Sequence, residues 1–462
     1  MASTITIDNL GIPPLAGLCT YEEESTPGLS VETTVRFLKR LAYVKARLNR
    51  LQAGHLPRTP EWEVKCALGL HLWLDAEHAT LLRRRVAEMR QPPLGLDKVP
   101  DPRLEAWLDE AIRAEDTVEL LAGLIRSIRP EIVRAGERLL AESNPMLDYP
   151  TRRICRQLLL DEAEMIAWGE QALAALTATP EARERADAWV AHLNAYGDAA
   201  GGIFDGRLEV GPTASQSEAA SLPAPRSDGR PYEMDPVPRR DVRFVDPFNR
   251  AAAFDAYYRD ESRPMPERVM ALMAKRLREM DVPEWMAPIL YKTDGKPWEY
   301  YLDLSRQLWD ETRHAMLGEI GFVRRDIPFT RYPVSVAASH TLNTEFEPIE
   351  AHVVLWGIEQ SLMARKTGKG YEWDVAVESG DEFAISMQDY DWADEVLHAQ
   401  IGRRWLIPEH GSQAALREYA SGVIDRWAES MEATRSASLQ EDWWPQLQAD
   451  IGVGEESAAR GK

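Results

Sequence analysis

The chain has 462 residues, with 54 Lys and Arg against 75 Asp and Glu, and a formal net charge of -21. A hydrophobic content of 44% supports a real core and the length suits two or three domains, while the acidic field makes the chain a poor general binder of nucleic acid or anionic membrane. The three cysteines, Cys19, Cys66 and Cys155, are too scattered for a disulfide framework or metal pair, and neither a leader peptide nor an apolar run of about 18 residues is visible, so a cytoplasmic protein with reduced thiols is expected.

Residues 1–30 are dotted with Pro and Gly and are acidic at Glu22, Glu23 and Glu24; they read as an extended arm. From Val31 to about Ala53 apolar residues recur at three and four (Val35, Leu38, Leu41, Val44, Leu48, Leu51), the pattern of an amphipathic helix. Thr59-Pro60 opens a second helix, which passes Trp62, Leu70 and Trp73 on its way to about Met89. Leu104 to about Ala141 reads as one long helical stretch with a kink or break at Pro130, and Thr151 to about Leu176 as the next helix. Residues 197–250, rich in Pro, Gly and Ser, read as a linker. Beyond it, Pro266-Glu267 opens a helix leading to Glu279 and Glu284. Trp298 to about Phe322, Leu342 to about Lys366 and Asp389 to Leu406 follow. Thr367-Gly368-Lys369-Gly370 is a breaker, 371–385 carries no clear period, a further helix reaches about Thr434, and 441–462 reads as a flexible tail. The fold class is all-α.

Two stretches share one pattern, Asp310-Glu311-Thr312-Arg313-His314 and Asp394-Glu395-Val396-Leu397-His398. On a helix, residues three apart share a face, so a Glu and a His so spaced can bind one metal side by side. A lone acidic-x-x-His means little in a chain with nine His; the doubled acidic pair, occurring twice, is rare by chance. The two halves of the chain also match in order. Trp62 precedes His78 by sixteen residues, as Trp298 precedes His314. Leu72-Trp73 matches Leu308-Trp309, and Asp161-Glu162 with Met165 and Gly169 matches Asp394-Glu395 with His398 and Gly402. This reads as an internal duplication of a four-helix bundle, over 31–196 and 251–440. In the first copy Met165 replaces the second His, and a thioether is a poor ligand for hard ions. His71, Asp75, His78 and Glu162 there form either a degenerate one-metal site or a polar core cluster.

Through Trp309 to His314 and Ala393 to Trp405, the chain resembles the ferritin-like dimetal-carboxylate superfamily. Within it, the nearer likeness is to an uncharacterised ferritin-like family related to tRNA-hydroxylase-type diiron proteins. The resemblance covers most of 262–406 and, in degraded form, 31–176. It implies two tandem ferritin-like bundles and a centre of two irons, or manganese and iron, on Glu311, His314, Glu395 and His398, with one more Glu from each of two other helices. For these it implies Glu279, 32 residues before Glu311, with Glu284 as the alternative, and Glu359, 36 residues before Glu395. Met363 competes for the last place and would cost the site a carboxylate; His352 is an additional candidate. Asp310 and Asp394 read either as hydrogen-bond partners behind the ligands or as surface charges. The implied activity is that of an oxidase or monooxygenase acting with dioxygen on a small molecule. The alternative is a non-catalytic helical binding or structural protein with a vestigial site, in which the same side chains form a buried polar network. Homodimerisation stays open, and neither the substrate nor the electron donor is legible.

Overall fold

Helix starts are written into this chain by short polar caps followed by Pro, whose missing N–H costs nothing in a first turn. Asp101 caps the helix that begins at Pro102, accepting from Arg103 N at 2.9 Å, and Thr179 caps the one that begins at Pro180. The computed structural model describes residues 9–204, 222–436 and 440–453, and every regular element among them is a helix. None of these is long and apolar enough to cross a membrane. The chain divides into two compact units, Met1–Leu48 with Leu74–Tyr232 and Asn49–Trp73 with Glu233–Lys462.

The first unit takes its helices from α1 (Val31–His55), α2 (Trp62–Met89), α3 (Pro102–Ala111), α4 (Thr117–Gly123), α5 (Arg129–Glu142), α6 (Tyr149–Leu176) and α7 (Pro180–Ala199). The expected single stretch from Leu104 to Ala141 is in fact three helices. Asp116 stops the first run by capping α4 through Glu119 N at 2.9 Å. Pro130 breaks nothing, because it sits in the first turn of α5, directly after a π turn at Leu124–Ile128. The expected 31–196 bundle is also interrupted, since residues 49–73 belong to the second unit. There Asn49 donates to Ser305 Oγ at 2.8 Å, Gly69 lies against Thr312, and the indoles of Trp73 and Trp309 stack at 6.3 Å and 6°.

The linker reading falls partly on residues 205–221, outside the described residues. Its described remainder is tied down. Arg226 N donates to Glu110 and the Arg226 guanidinium lies 4.1 Å over Trp189, while Arg239 N donates to Pro57 O at 3.0 Å.

The second unit is built on α8 (Met265–Arg278), α9 (Asp281–Lys292), α10 (Trp298–Val323), α11 (Ala337–Glu345), α12 (Pro348–Leu362), α13 (Lys369–Ser379), α14 (Glu382–His410), α15 (Gln413–Ser436) and α16 (Trp444–Asp450). The expected helix over 342–366 splits at Phe346-Glu347, where Glu347 and Glu350 form a capping box ahead of α12. The unassigned 371–385 is mostly helical, and α14 is longer than expected because Asp381 caps its start through Phe383 N at 3.0 Å. The tail reading covers 454–462, which lie outside the described residues. Its earlier part is no loose tail, since Trp444 and Leu447 are buried and Trp444 Nε1 donates to Glu267 at 2.7 Å.

Two close approaches set the geometry that matters. Gly318 and Gly402 each lie four residues after the motif His, on the same helix face. A Cβ at Gly318 would run into the backbone of Leu277 on α8, and one at Gly402 into Trp356 on α12. The two glycines let α10 settle on α8 and α14 on α12, which draws Glu279 toward His314 and Glu359 toward His398. Gly318→Ala is expected to lower stability by about 1–3 kcal/mol through overpacking, although Ala is intrinsically the better helix former by about 1 kcal/mol. The midpoint of urea unfolding measures this, and an unchanged or raised midpoint would refute the close-approach reading.

Candidate metal centre

The fold brings all six expected ligands of the second half together. Glu311, Glu359, Glu395 and His398 place one donor atom each within 4.8 Å of one another, and Glu279, His314 and Asp391 do the same beside them. Both imidazoles turn Nδ1 inward. His398 Nδ1 lies 3.1 Å from Glu311 Oε1, 3.3 Å from Glu395 Oε2 and 3.8 Å from Glu359 Oε1. His314 Nδ1 lies 3.4 Å from Asp391 Oδ1 and 3.6 Å from Glu279 Oε2 and Glu311 Oε2. Glu311 therefore presents one oxygen to each imidazole.

Behind each ring stands the leading Asp of the opposite motif. His314 Nε2 lies 3.2 Å from Asp394 Oδ2, and His398 Nε2 lies 3.4 Å from Asp310 Oδ2. A carboxylate on the outer nitrogen fixes the tautomer and leaves the inner nitrogen free to ligate. Asp310 is held in turn by Arg306 at 2.9 Å and by Arg313, and Arg313 reaches Asp394 at 2.8 Å. Of the two readings left open for these aspartates, the structure selects hydrogen-bond partners. Asp394→Asn is expected to weaken metal binding 10–100-fold, about the usual effect of losing such a support. Titration with Fe(II) or Mn(II) checks it, with unchanged affinity as the refuting result.

The inward atoms are where the polar bookkeeping of the core fails. His398 Nδ1, Glu359 Oε2, Glu395 Oε2, His314 Nδ1 and Glu279 Oε2 are buried and lack a hydrogen-bond partner. Such atoms are costly unless something fills the space between them. Oxygen and imidazole donors, four at one position with a shared carboxylate leading to the next, suit iron or manganese. The charges agree. Burial, with Glu395 and Glu311 alongside, pushes the Glu359 carboxyl well above its ordinary range. Burial likewise pushes Glu279 up to about 7 despite Arg276 and Lys369 nearby. Burial alone would lower His314, but Asp391, Asp394 and Glu311 outweigh it and hold the imidazole up to about 10.

Asp391, Lys369 and Arg276 are site residues that spacing did not single out. Asp391 stands one turn before Glu395 on the same face of α14, a position visible in the sequence. Lys369 Nζ donates to Asp391 at 2.8 and 2.9 Å and lies 2.8 Å from Glu395 Oε1. Arg276 pairs with Asp391, with Glu279 at 3.0 Å and with Glu372 at 3.2 Å.

Four sequence candidates lie elsewhere. Glu284 is buried but is claimed by Lys65 and Arg240. The chain bends between Glu279, which closes α8, and Asp281, which opens α9, so Glu284 cannot share the face of Glu279. His352 stands two turns before Glu359 and faces Tyr300, whose OH lies 3.3 Å from Nδ1; burial pushes its pKa down to about 3. Met363 is only the C-cap of α12, while Glu359 is the buried member of the cluster. His71 is buried but is not among the converging residues of the first unit, which are Asp75, His78 and Glu162.

That first cluster fails the test of fit. Lys45 Nζ donates to Asp75 at 2.7 Å and also to Glu162, and Arg129 reaches Asp75 and Glu162 at 3.1 Å each. All four side chains are wholly buried. Two cations already neutralise the two carboxylates, and a divalent ion would be driven off by the ammonium beside it. His78 Nε2 lies 2.8 Å from Asp161 Oδ2.

Comparison with family models, with curated proteins and with solved structures finds no match for this chain. What the centre can do is therefore read from its own donors.

Proposed function

We propose that the second unit is a metal-dependent oxidoreductase built on the ferritin-like dimetal-carboxylate plan, an oxidase or monooxygenase that uses dioxygen on a small molecule. The five buried, unpartnered donor atoms converging between Glu279, His314, Glu359, Glu395 and His398 carry this reading. The ions that plan calls for are iron, or iron with manganese; bound here they would supply redox chemistry and open positions for dioxygen. Glu311, Glu359, Glu395 and His398 would hold one ion. Glu279, His314 and Asp391 line a second position, and Glu311 reaches both. Asp310 and Asp394 keep each imidazole in the ligating tautomer, and the surrounding apolar helices exclude bulk water.

On the same reading the two units are copies. Asp161 supports His78 as Asp394 supports His314, and Gly169 follows Met165 as Gly402 follows His398. The vestigial reading fits the first copy, where Lys45 and Arg129 stand in for metal. Protein from iron-supplemented cells is expected to carry stoichiometric iron and to consume dioxygen when given a reductant. His398→Ala should lose both while keeping its helical circular dichroism. An iron-free wild-type chain of equal stability would overturn the proposal and leave a scaffold protein.

A further inference from the structure

We propose that the ammonium of Lys369 is the second cation of the centre, so that the protein binds one metal ion, on Glu311, Glu359, Glu395 and His398. This rests on the metal reading above and narrows its metal count. Glu395 turns Oε2 toward His398 but gives Oε1 to Lys369 at 2.8 Å. In a two-metal centre that second oxygen would bridge to the neighbouring position. Both oxygens of Asp391 are also taken, Oδ2 by Lys369 and Oδ1 by Lys369 and Arg276. Beyond Glu311 Oε2, which is shared with the first position, the second position has only Glu279 Oε2 and His314 Nδ1 left without a hydrogen-bond partner, too few to displace an ammonium held by both Asp391 and Glu395.

The lysine is built in. Its side chain is wholly buried at the first residue of α13. A helix start repels positive charge, so it is the carboxylates that keep the ammonium there. The flanking glycines lock the backbone that aims it. A Cβ at Gly368 would collide with Leu362 O, and one at Gly370 would lie 2.7 Å from Arg365 O. The chain uses the same device elsewhere, since Lys45 and Arg129 neutralise Asp75 and Glu162 in the first unit. In the second unit Lys369 and Arg276 take one position and leave the other open.

Titration of metal-free full-length protein with Mn(II), followed by elemental analysis and electron paramagnetic resonance, tests this. Wild type is expected to bind one equivalent and give the six-line signal of an isolated ion. K369M is expected to rise to two equivalents and give the broadened signal of a coupled pair. Two equivalents in wild type would overturn the role of Lys369 while leaving the metal reading intact, and one equivalent in a folded K369M would do the same. Binding of none in wild type overturns both. If K369M does not fold, the wild-type stoichiometry and signal still decide, and K369Q, which keeps a polar end without the charge, repeats the comparison.

Discussion

Arg129→Met is expected to destabilise the protein by about 3–5 kcal/mol, the usual cost of stripping one partner from a buried ion pair. Arg129 is fully buried, with Glu162 Oε1 and Oε2 at 3.2 and 3.1 Å and Asp75 Oδ2 at 3.1 Å. With Lys45 it makes a closed cell of two cations and two carboxylates. Burial would raise the Asp75 carboxyl, but Arg129 and then Lys45 overcome this and hold it well below its ordinary range. A depressed acid contributes stability that is present above its unfolded pKa of about 3.9 and is lost as pH falls through the folded value. Methionine fills the volume of the arginine stem without its charge, leaving one carboxylate unpaired in a dry core. The companion R129M/E162Q removes that stray charge and is expected to recover part of the loss, which a stem-packing effect would not do. Urea unfolding of the three proteins reads this out. A loss below about 1 kcal/mol in R129M would mean the cell is wetter or looser than the structure has it.

This cell also marks where sequence reasoning stopped. Glu311, His314, Glu395 and His398 were legible because a helix turns spacing into shared direction, and Glu279 and Glu359 because the family resemblance says where to look. Lys45 stands four residues after Leu41 and three before Leu48, on the inward stripe of α1, but it belongs to no motif, and the carboxylates that make a buried lysine tolerable, Asp75 and Glu162, lie on other helices. Lys369 lies in Thr367-Gly368-Lys369-Gly370, which reads as a helix breaker; that the glycines serve close packing is visible only once Leu362 and Arg365 are placed beside them. Glu284 and His352 failed for a related reason. Glu284 lies five residues after Glu279, which even an unbroken helix would turn roughly 140° off its face, and it falls in a separate helix; two turns along α12 carry His352 roughly 10 Å from Glu359. The all-helical class and the two leading motifs were local properties. The cations that decide which cluster is left for metal are tertiary ones.

Iron or manganese added to the metal-free protein is expected to raise its stability by about 4 kcal/mol when free metal stands at about a thousand times Kd, because the ion binds the folded state alone. His398→Ala should abolish the gain, since Nδ1 of that ring faces three of the four donors at the better position. Glu284→Gln should not, because Glu284 serves Lys65 and Arg240. The gain should also depend on pH with a definite sign. His314 is held up to about 10 by Asp391, Asp394 and Glu311 against the opposing effect of burial, and His398 is raised well above its ordinary value by Asp310, Glu311 and Glu395 against the same effect. Protonated imidazoles stabilise the metal-free fold below their unfolded pKa of about 6.5, and that contribution fades as pH rises through the folded values. Metal needs Nδ1 bare, so its uptake at neutral pH releases protons and strengthens as pH rises. Thermal unfolding at pH 6, 7 and 8, with and without Mn(II), measures the difference. A metal-induced shift that grew toward acid would mean the ion binds at surface carboxylates and leaves the buried imidazoles untouched.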